Sequence, residues 1–238
     1  MSYSFFVDTT LCTACRGCQV ACKQWHGLPA EKTVNVGSYQ NPQDLSFNTY
    51  KLVRMKEEVI EEKLRWLFFP EQCRHCIEPP CLETANDPRA IYKDRLTNAV
   101  IFTANTRLLD ADEIIESCPY NIPRKGQDGL LAKCDMCNDR VQNGLKPACV
   151  QTCPTGTMNF GPREEMLALA NARLSVVKKA NPAAQLIDAD TVEVIYLTAF
   201  DPLLYHEAAI ASLSPGVTRH MALRRMFNPV RRMGRAFA

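Results

Sequence analysis

The chain has 238 residues, 46% of them hydrophobic and 23% charged, proportions that exclude a disordered, collagenous or coiled-coil protein. Its 28 basic and 26 acidic side chains leave a net charge of +2, too small to argue by itself for a nucleic-acid partner. The departure from average composition is 12 cysteines.

Residues 1–8, Met-Ser-Tyr-Ser-Phe-Phe-Val-Asp, lack a basic start, a long apolar core and a small-residue cleavage site, so neither a secretory nor a twin-arginine signal is expected. No run of about 18 apolar residues exists, so no membrane span is expected. Many thiols without an export signal point to metal rather than to a disulfide framework, which a chain of this length does not need.

In chain order, residues 5–7 (Phe-Phe-Val) read as a short strand that enters Cys12-Thr-Ala-Cys15-Arg-Gly-Cys18-Gln-Val-Ala-Cys22. Residues 17–26 read as a helix stopped by Gly27. Residues 50–55 and 64–69 alternate aromatic and aliphatic side chains like the strands of a hairpin, although residues 57–63 between them have helix-forming composition. Next come Cys73-Arg-His-Cys76 and Cys81, a strand over 98–103, a short helix over 108–117, and Cys118-Pro119. The last block is Cys134-Asp-Met-Cys137, then Cys149-Val-Gln-Thr-Cys153-Pro154. Residues 163–179 carry Met166, Leu167, Leu169, Ala170 and Leu174 at helical spacing and read as a helix covering the core. A strand over 191–198 and a helix over 203–212 follow, and together these elements give an α+β fold.

The spacing of the first block has a physical reason. Three thiolates at i, i+3 and i+6 wrap three corners of one iron–sulfur cube, and a fourth on the emerging helix points to the neighbouring cube. Cys12, Cys15 and Cys18 then need a remote partner, and Cys153 supplies it; Cys134, Cys137 and Cys149 take Cys22. Cys73, Cys76 and Cys81 take Cys118. A fourth cube would need cysteines at 85, 108, 111 and 114, where Ala85, Leu108, Ala111 and Ile114 stand together. The count therefore predicts three [4Fe-4S] clusters and leaves no thiol over. Lys23 stands where a Cys-Pro pair would close the first run.

Zinc is the competing metal, because C-x2-C pairs also build structural zinc sites and the last block alone would suit one. The first block favours clusters, since its fourth cysteine suits a crossed pair better than one tetrahedron. His75 lies between two ligands but reads as a neighbour rather than a ligand, and His26, His206 and His220 read as ordinary. Arg16, Arg74, His75 and Lys133 lie inside or beside the ligand loops and are the candidates for tuning the clusters.

Segments FFVDTTLCTACRGCQVACKQWHG (5–27), YKLVRM (50–55), WLFFPEQCRHC (66–76), CPYNIPRK (118–125) and AKCDMCNDRVQNGLKPACVQTCPTG (132–156) resemble the iron–sulfur subunits of molybdopterin oxidoreductases. Within that family they are most similar to the small, beta subunit of periplasmic tungsten- or molybdenum-containing formate dehydrogenases of sulfate-reducing bacteria. The likeness covers about residues 3–212 and includes the three-cluster count. It implies a non-catalytic electron conduit. A large catalytic subunit would hold a tungsten or molybdenum bis-pterin cofactor, with cytochrome c or a membrane quinone module as acceptor. It also implies a periplasmic heterodimer, exported with a signal-bearing partner. A sulfur or arsenic oxyanion substrate on that partner is the alternative. A zinc-bound module that uses a basic tail on nucleic acid is the reading from another class, and no nucleic-acid partner is expected.

The resulting architecture is two ferredoxin-like units, one inserted in the other. Residues 1–39 and 131–160 form a two-cluster unit and residues 40–130 a one-cluster unit. Residues 161–213 form a C-terminal cap of helix and strand. Residues 214–238 are a basic tail with six arginines and no acid, so the rest of the chain is net acidic. The tail reads as a solvated end, as a docking segment for an acidic surface or, a minor alternative, as a membrane-surface segment.

Overall fold

The computed structural model describes residues 2–211; the basic tail and the end of the helix expected over 203–212 lie outside the described residues. In chain order the elements begin with β1 (Tyr3–Asp8), α1 (Gly17–Trp25), β2 (Leu52–Ile60), β3 (Lys63–Glu71) and α2 (Pro80–Ala85). Short elements follow: β4 (Ile91–Lys93), β5 (Val100–Phe102), α3 (Ala111–Glu116), β6 (Arg124–Lys125), β7 (Leu131–Ala132), α4 (Asn138–Gln142) and α5 (Ala148–Gln151). The chain continues through β8 (Met158–Pro162), α6 (Arg163–Val177), β9 (Gln185–Ile187), β10 (Val194–Thr198) and α7 (Pro202–Tyr205).

The largest sheet has the order β8-β1-β10-β9, with β1 parallel to β10 and the outer strands antiparallel. β10 (VIYLT) is buried along its whole length, as a strand covered on both faces must be. One face, through Phe6, Ile195 and Leu197, packs under Met166, Ala170 and Val177 of α6. The other, through Phe5, Val7, Val194 and Tyr196, packs against Cys18, Met136 and Cys149. A covering helix, a sheet and a layer of cysteine loops are thus stacked in that order. The segment expected to cap the molecule supplies β9 and β10 to this sheet, and β8 runs through the expected limit at 160/161. No helix among the described residues is long and apolar enough to cross a membrane.

Residues 57–63 are strand and turn rather than helix. β2 and β3 pair in register from Leu52↔Glu71 to Ile60↔Lys63, and Glu61 and Glu62 make the two-residue turn with φ of 52° and 61°. Cross-strand pairs such as Glu57↔Trp66 outweigh the intrinsic preference of the segment. Lys23 also has a structural consequence: lacking the proline that would turn the chain, α1 continues past Cys22 to Trp25.

Where a fourth cluster would lie, Ala111 and Ile114 are packed with Ile91, Val100 and Leu131 against Cys81, with Ala85 beside them. Leu108 departs from the expectation. It is 79% exposed, because residues 104–108 form a 3-10 turn and the helix starts only after the Asp110 cap. The last helix is shorter than expected, limited to Pro202–Tyr205.

Candidate metal centres

Three cysteine triplets are built to one plan. The residue before the second cysteine of each C-x2-C turn is a non-glycine in the left-handed conformation: Ala14 (φ 53°), His75 (φ 48°) and Met136 (φ 67°). Its N–H donates back to the first sulfur, from Ala14 to Cys12, from His75 to Cys73 at 3.4 Å and from Met136 to Cys134 at 3.4 Å. The third cysteine is the second residue of a helix: Cys18 in α1, Cys81 in α2 and Cys149 in α5. Each takes a further N–H from the residue after it, Gln19, Leu82 or Val150. A left-handed non-glycine costs about 1–3 kcal/mol. Both N–H donors and helix starts favour an anionic sulfur, which is what the strained turns provide for. α2 and α5 escape sequence reading because they hold six and four residues, too few for periodicity. The prolines at Pro79, Pro80 and Pro147 were the available signal.

Two groups of four cysteines each line a cavity. Cys73, Cys76, Cys81 and Cys118 line a cavity of about 340 Å³ together with Pro79, Pro80, Pro119 and Pro123. Cys12, Cys15, Cys18 and Cys153 surround about 300 Å³. The remaining four are buried close together: Cys149 and Cys137 lie within electrostatic reach of Cys22, and Cys22 and Cys137 within that of Cys134. The groups follow one another in space: Cys149 lies within electrostatic reach of Cys18 of the first group and Cys134 within that of Cys73 of the third, which puts the Cys22 group between the other two.

Burial dominates the thiols. It pushes Cys12, Cys118 and Cys149 up to about 11, Cys81 and Cys137 to about 12, and Cys76 higher still. Cys153 goes down, because N–H groups of Met158, Thr155 and Thr157 outweigh its burial. Without metal the buried sulfurs are neutral thiols, and metal binding must displace their protons.

Of the four expected tuning residues, Arg16 lines the cavity of the first group and Arg74 and Lys133 that of the third, whereas His75 lines neither. Arg16 lines the first cavity and donates to the Tyr39 carbonyl. Arg74 lines the third cavity, fully buried, with its guanidinium 4.0 Å from the Tyr196 ring and 4.9 Å from Phe69. It donates to the Ala209 carbonyl at 2.9 Å, whereas its Nε and Nη1 meet no acceptor. His75 accepts the Val100 N–H on Nδ1 at 3.0 Å, so its Nε2 carries the proton, also without an acceptor. Burial, then the charges of Lys133 and Lys93, hold its pKa well below the ordinary value. Lys133 lines the third cavity and donates to the carbonyls of Val100 (2.5 Å) and Cys134 (2.9 Å).

Sequence reasoning missed three polar residues. Lys51 is buried and donates to Gln72, whose own Nε2 lacks an acceptor. His26, read as ordinary, lies against Cys137. Tyr50, Leu52 and Val53 on either side of Lys51 were a signal for its burial; nothing local marks His26.

An all-sulfur donor set suits zinc or an iron–sulfur cluster. Four sulfurs bound to one zinc at 2.3 Å would stand about 3.8 Å apart. Among the described residues no three cysteine sulfurs lie within 4.8 Å of one another, so the groups are too open for a single ion. They fit a larger group bearing anionic sulfur, which would also meet the unpartnered donors of Arg74 in the cavity lining.

Comparison with known proteins agrees with this chemistry. A family described as a 4Fe-4S dicluster domain matches residues 64–163. The chain is 59% identical over 215 residues to "Formate dehydrogenase subunit beta" of Megalodesulfovibrio gigas, covering 89% of this chain and 100% of that one. It is 51% identical over 216 residues to "Formate dehydrogenase 2 subunit beta (cytochrome c-553)" of Nitratidesulfovibrio vulgaris, covering 88% and 99%. It is 38% identical over 173 residues to the nitrate-inducible formate dehydrogenase iron-sulfur subunit of Escherichia coli K12, covering 72% of this chain and 58% of that one.

Proposed function

The chain belongs to the beta, iron–sulfur subunits of formate dehydrogenases, and from that premise we propose how it carries electrons. It is a non-catalytic electron-transfer subunit that binds iron–sulfur clusters. Three [4Fe-4S] clusters are held, one by Cys12, Cys15, Cys18 and Cys153, one by Cys22, Cys134, Cys137 and Cys149, and one by Cys73, Cys76, Cys81 and Cys118. The observation that carries this reading is the thrice-repeated loop, with its sulfurs spread too widely for a bare ion.

When bound, each cluster supplies one-electron chemistry. The chain's own residues hold the sulfurs, exclude water and set the charge around them. Residues 1–39 with 131–160 carry two clusters and the inserted 40–130 carries one. Because the Cys22 group lies between the others, the electron path runs through it from either end. The cytochrome c-553 in the name of the Nitratidesulfovibrio relative supports a cytochrome c as acceptor, and a periplasmic setting goes with such an acceptor. A large subunit with a tungsten or molybdenum bis-pterin is the formate-oxidising partner.

Co-purifying that partner and mixing the complex anaerobically with formate tests the reading. Reduced cubane EPR signals, including ones lost from a Cys118→Ala variant, are expected. A complex whose formate turnover never reduces the clusters of this chain would overturn it.

A further inference from the structure

Lys51 is a buried cation without a carboxylate partner. It is 1% exposed, and its ammonium donates to the Pro70 carbonyl at 3.2 Å and to Gln72 Oε1 at 2.6 Å, both neutral. An ammonium so enclosed requires a counter-charge. The groups within electrostatic reach of it are Cys18, Cys149, the Tyr196 phenol and Cys134 in that order, three of them sulfurs that become anionic on binding metal. Cys18 belongs to the first group, Cys149 and Cys134 to the middle one. Pro70, which accepts its hydrogen bond, lines the first cavity. Lys51 therefore stands at the seam between those two groups.

Lys133 repeats the arrangement one step along. It too is buried and donates only to carbonyls, and Cys73 and Cys81 of the third group and Cys134 of the middle one lie within its electrostatic reach, with the Asp135 carboxylate the weakest of these influences.

We infer that Lys51 is a fixed cation shared by the first and middle clusters, matched by Lys133 between the middle and third, so that each lysine sets two consecutive potentials together. The inference rests on the three-cluster reading. Reduction adds one negative charge to a cluster, and a cation already in place favours the reduced form of both neighbours. Sharing keeps the two potentials in step, which suits transfer in either direction.

The test uses the complex with its catalytic partner, carrying Lys51→Met, Lys133→Met or Lys51→Arg, with iron and sulfide counted and each potential read by redox-poised EPR. Lys51→Met is expected to keep its iron and to lower two potentials by about tenfold in the reduced-to-oxidised ratio, which is about 59 mV for one electron. Lys133→Met lowers two as well, and one cluster, the middle one, is common to both. Lys51→Arg leaves all three near wild type. Potentials unmoved in Lys51→Met, or all three lowered equally, would overturn the inference. Should Lys51→Met lose iron, a loaded Lys51→Arg at wild-type potentials supports it, and an emptied Lys51→Arg overturns it. Wild-type complex without iron would bring down the cluster reading itself, a failure distinguishable from the others.

Discussion

His26 Nε2 lies 3.7 Å from the sulfur of Cys137, a residue 111 positions further along the chain. The same nitrogen is 3.4 Å from Asp135 Oδ1, and Tyr50 packs on the ring at 5.5 Å. A hydrogen bond to a ligating sulfur favours the reduced cluster. His26→Phe should therefore keep the iron and lower one potential, that of the middle cluster, with the other two in place. Redox-poised EPR reads all three, and an unchanged set would mean that the imidazole only fills space.

The left-handed turns are separately testable at Ala14, whose side chain is small. Ala14→Val places a β-branched residue at φ 53°, a conformation it resists. Loss of about a third of the iron, one cluster of three, is expected. Ala14→Gly relieves the strain, keeps the iron and raises stability by about 1 kcal/mol. Iron content and thermal unfolding distinguish the two variants.

The apolar plug at the missing fourth site is a packing element. Ile114 is almost wholly buried among Ile91, Val100 and Leu131. Ile114→Ala should cost about 2–5 kcal/mol in stability with iron per chain unaltered. A loss of iron instead would show that this region holds the Cys81 loop in place.

Glu71 gives a pH dependence. Burial raises its carboxyl, but the hydrogen bond from His206 (3.0 Å) and the ion pair with Arg54 (2.6 Å) win and lower it below 4.5. Since the folded value is the lower one, its contribution is complete above pH 4.5 and fades as pH falls through the folded value. Breaking such a buried pair costs about 3–5 kcal/mol. Glu71→Gln should unfold at a lower temperature than wild type at pH 7, with the gap closing toward acid. A constant gap would contradict the ionic account.

What the sequence disclosed and what it withheld follow from distance along the chain. The cysteine triplets are local patterns, so their loops could be read from spacing, and Phe5–Val7 and most of the core face of α6 from sequence pattern, although Leu169 turns out exposed and Val177 is buried instead. The hairpin was read short, because the acidic stretch before Lys63 prefers helix until Trp66 and Leu67 pair across it. Parallel pairing of β1 with β10 joins residues nearly 190 positions apart and has no local sign. Lys51 and His26 were missed for the same reason. Their importance lies in burial and in sulfurs that arrive from remote segments, which composition and spacing do not record.

The most direct test of the whole account is iron and acid-labile sulfide per chain, measured on anaerobically purified complex with the partner's own cofactors subtracted. About twelve of each, four per cysteine group, is the predicted result. Stoichiometric zinc without sulfide would contradict the electron-transfer account, and about eight iron would remove the cluster assigned to Cys73, Cys76, Cys81 and Cys118.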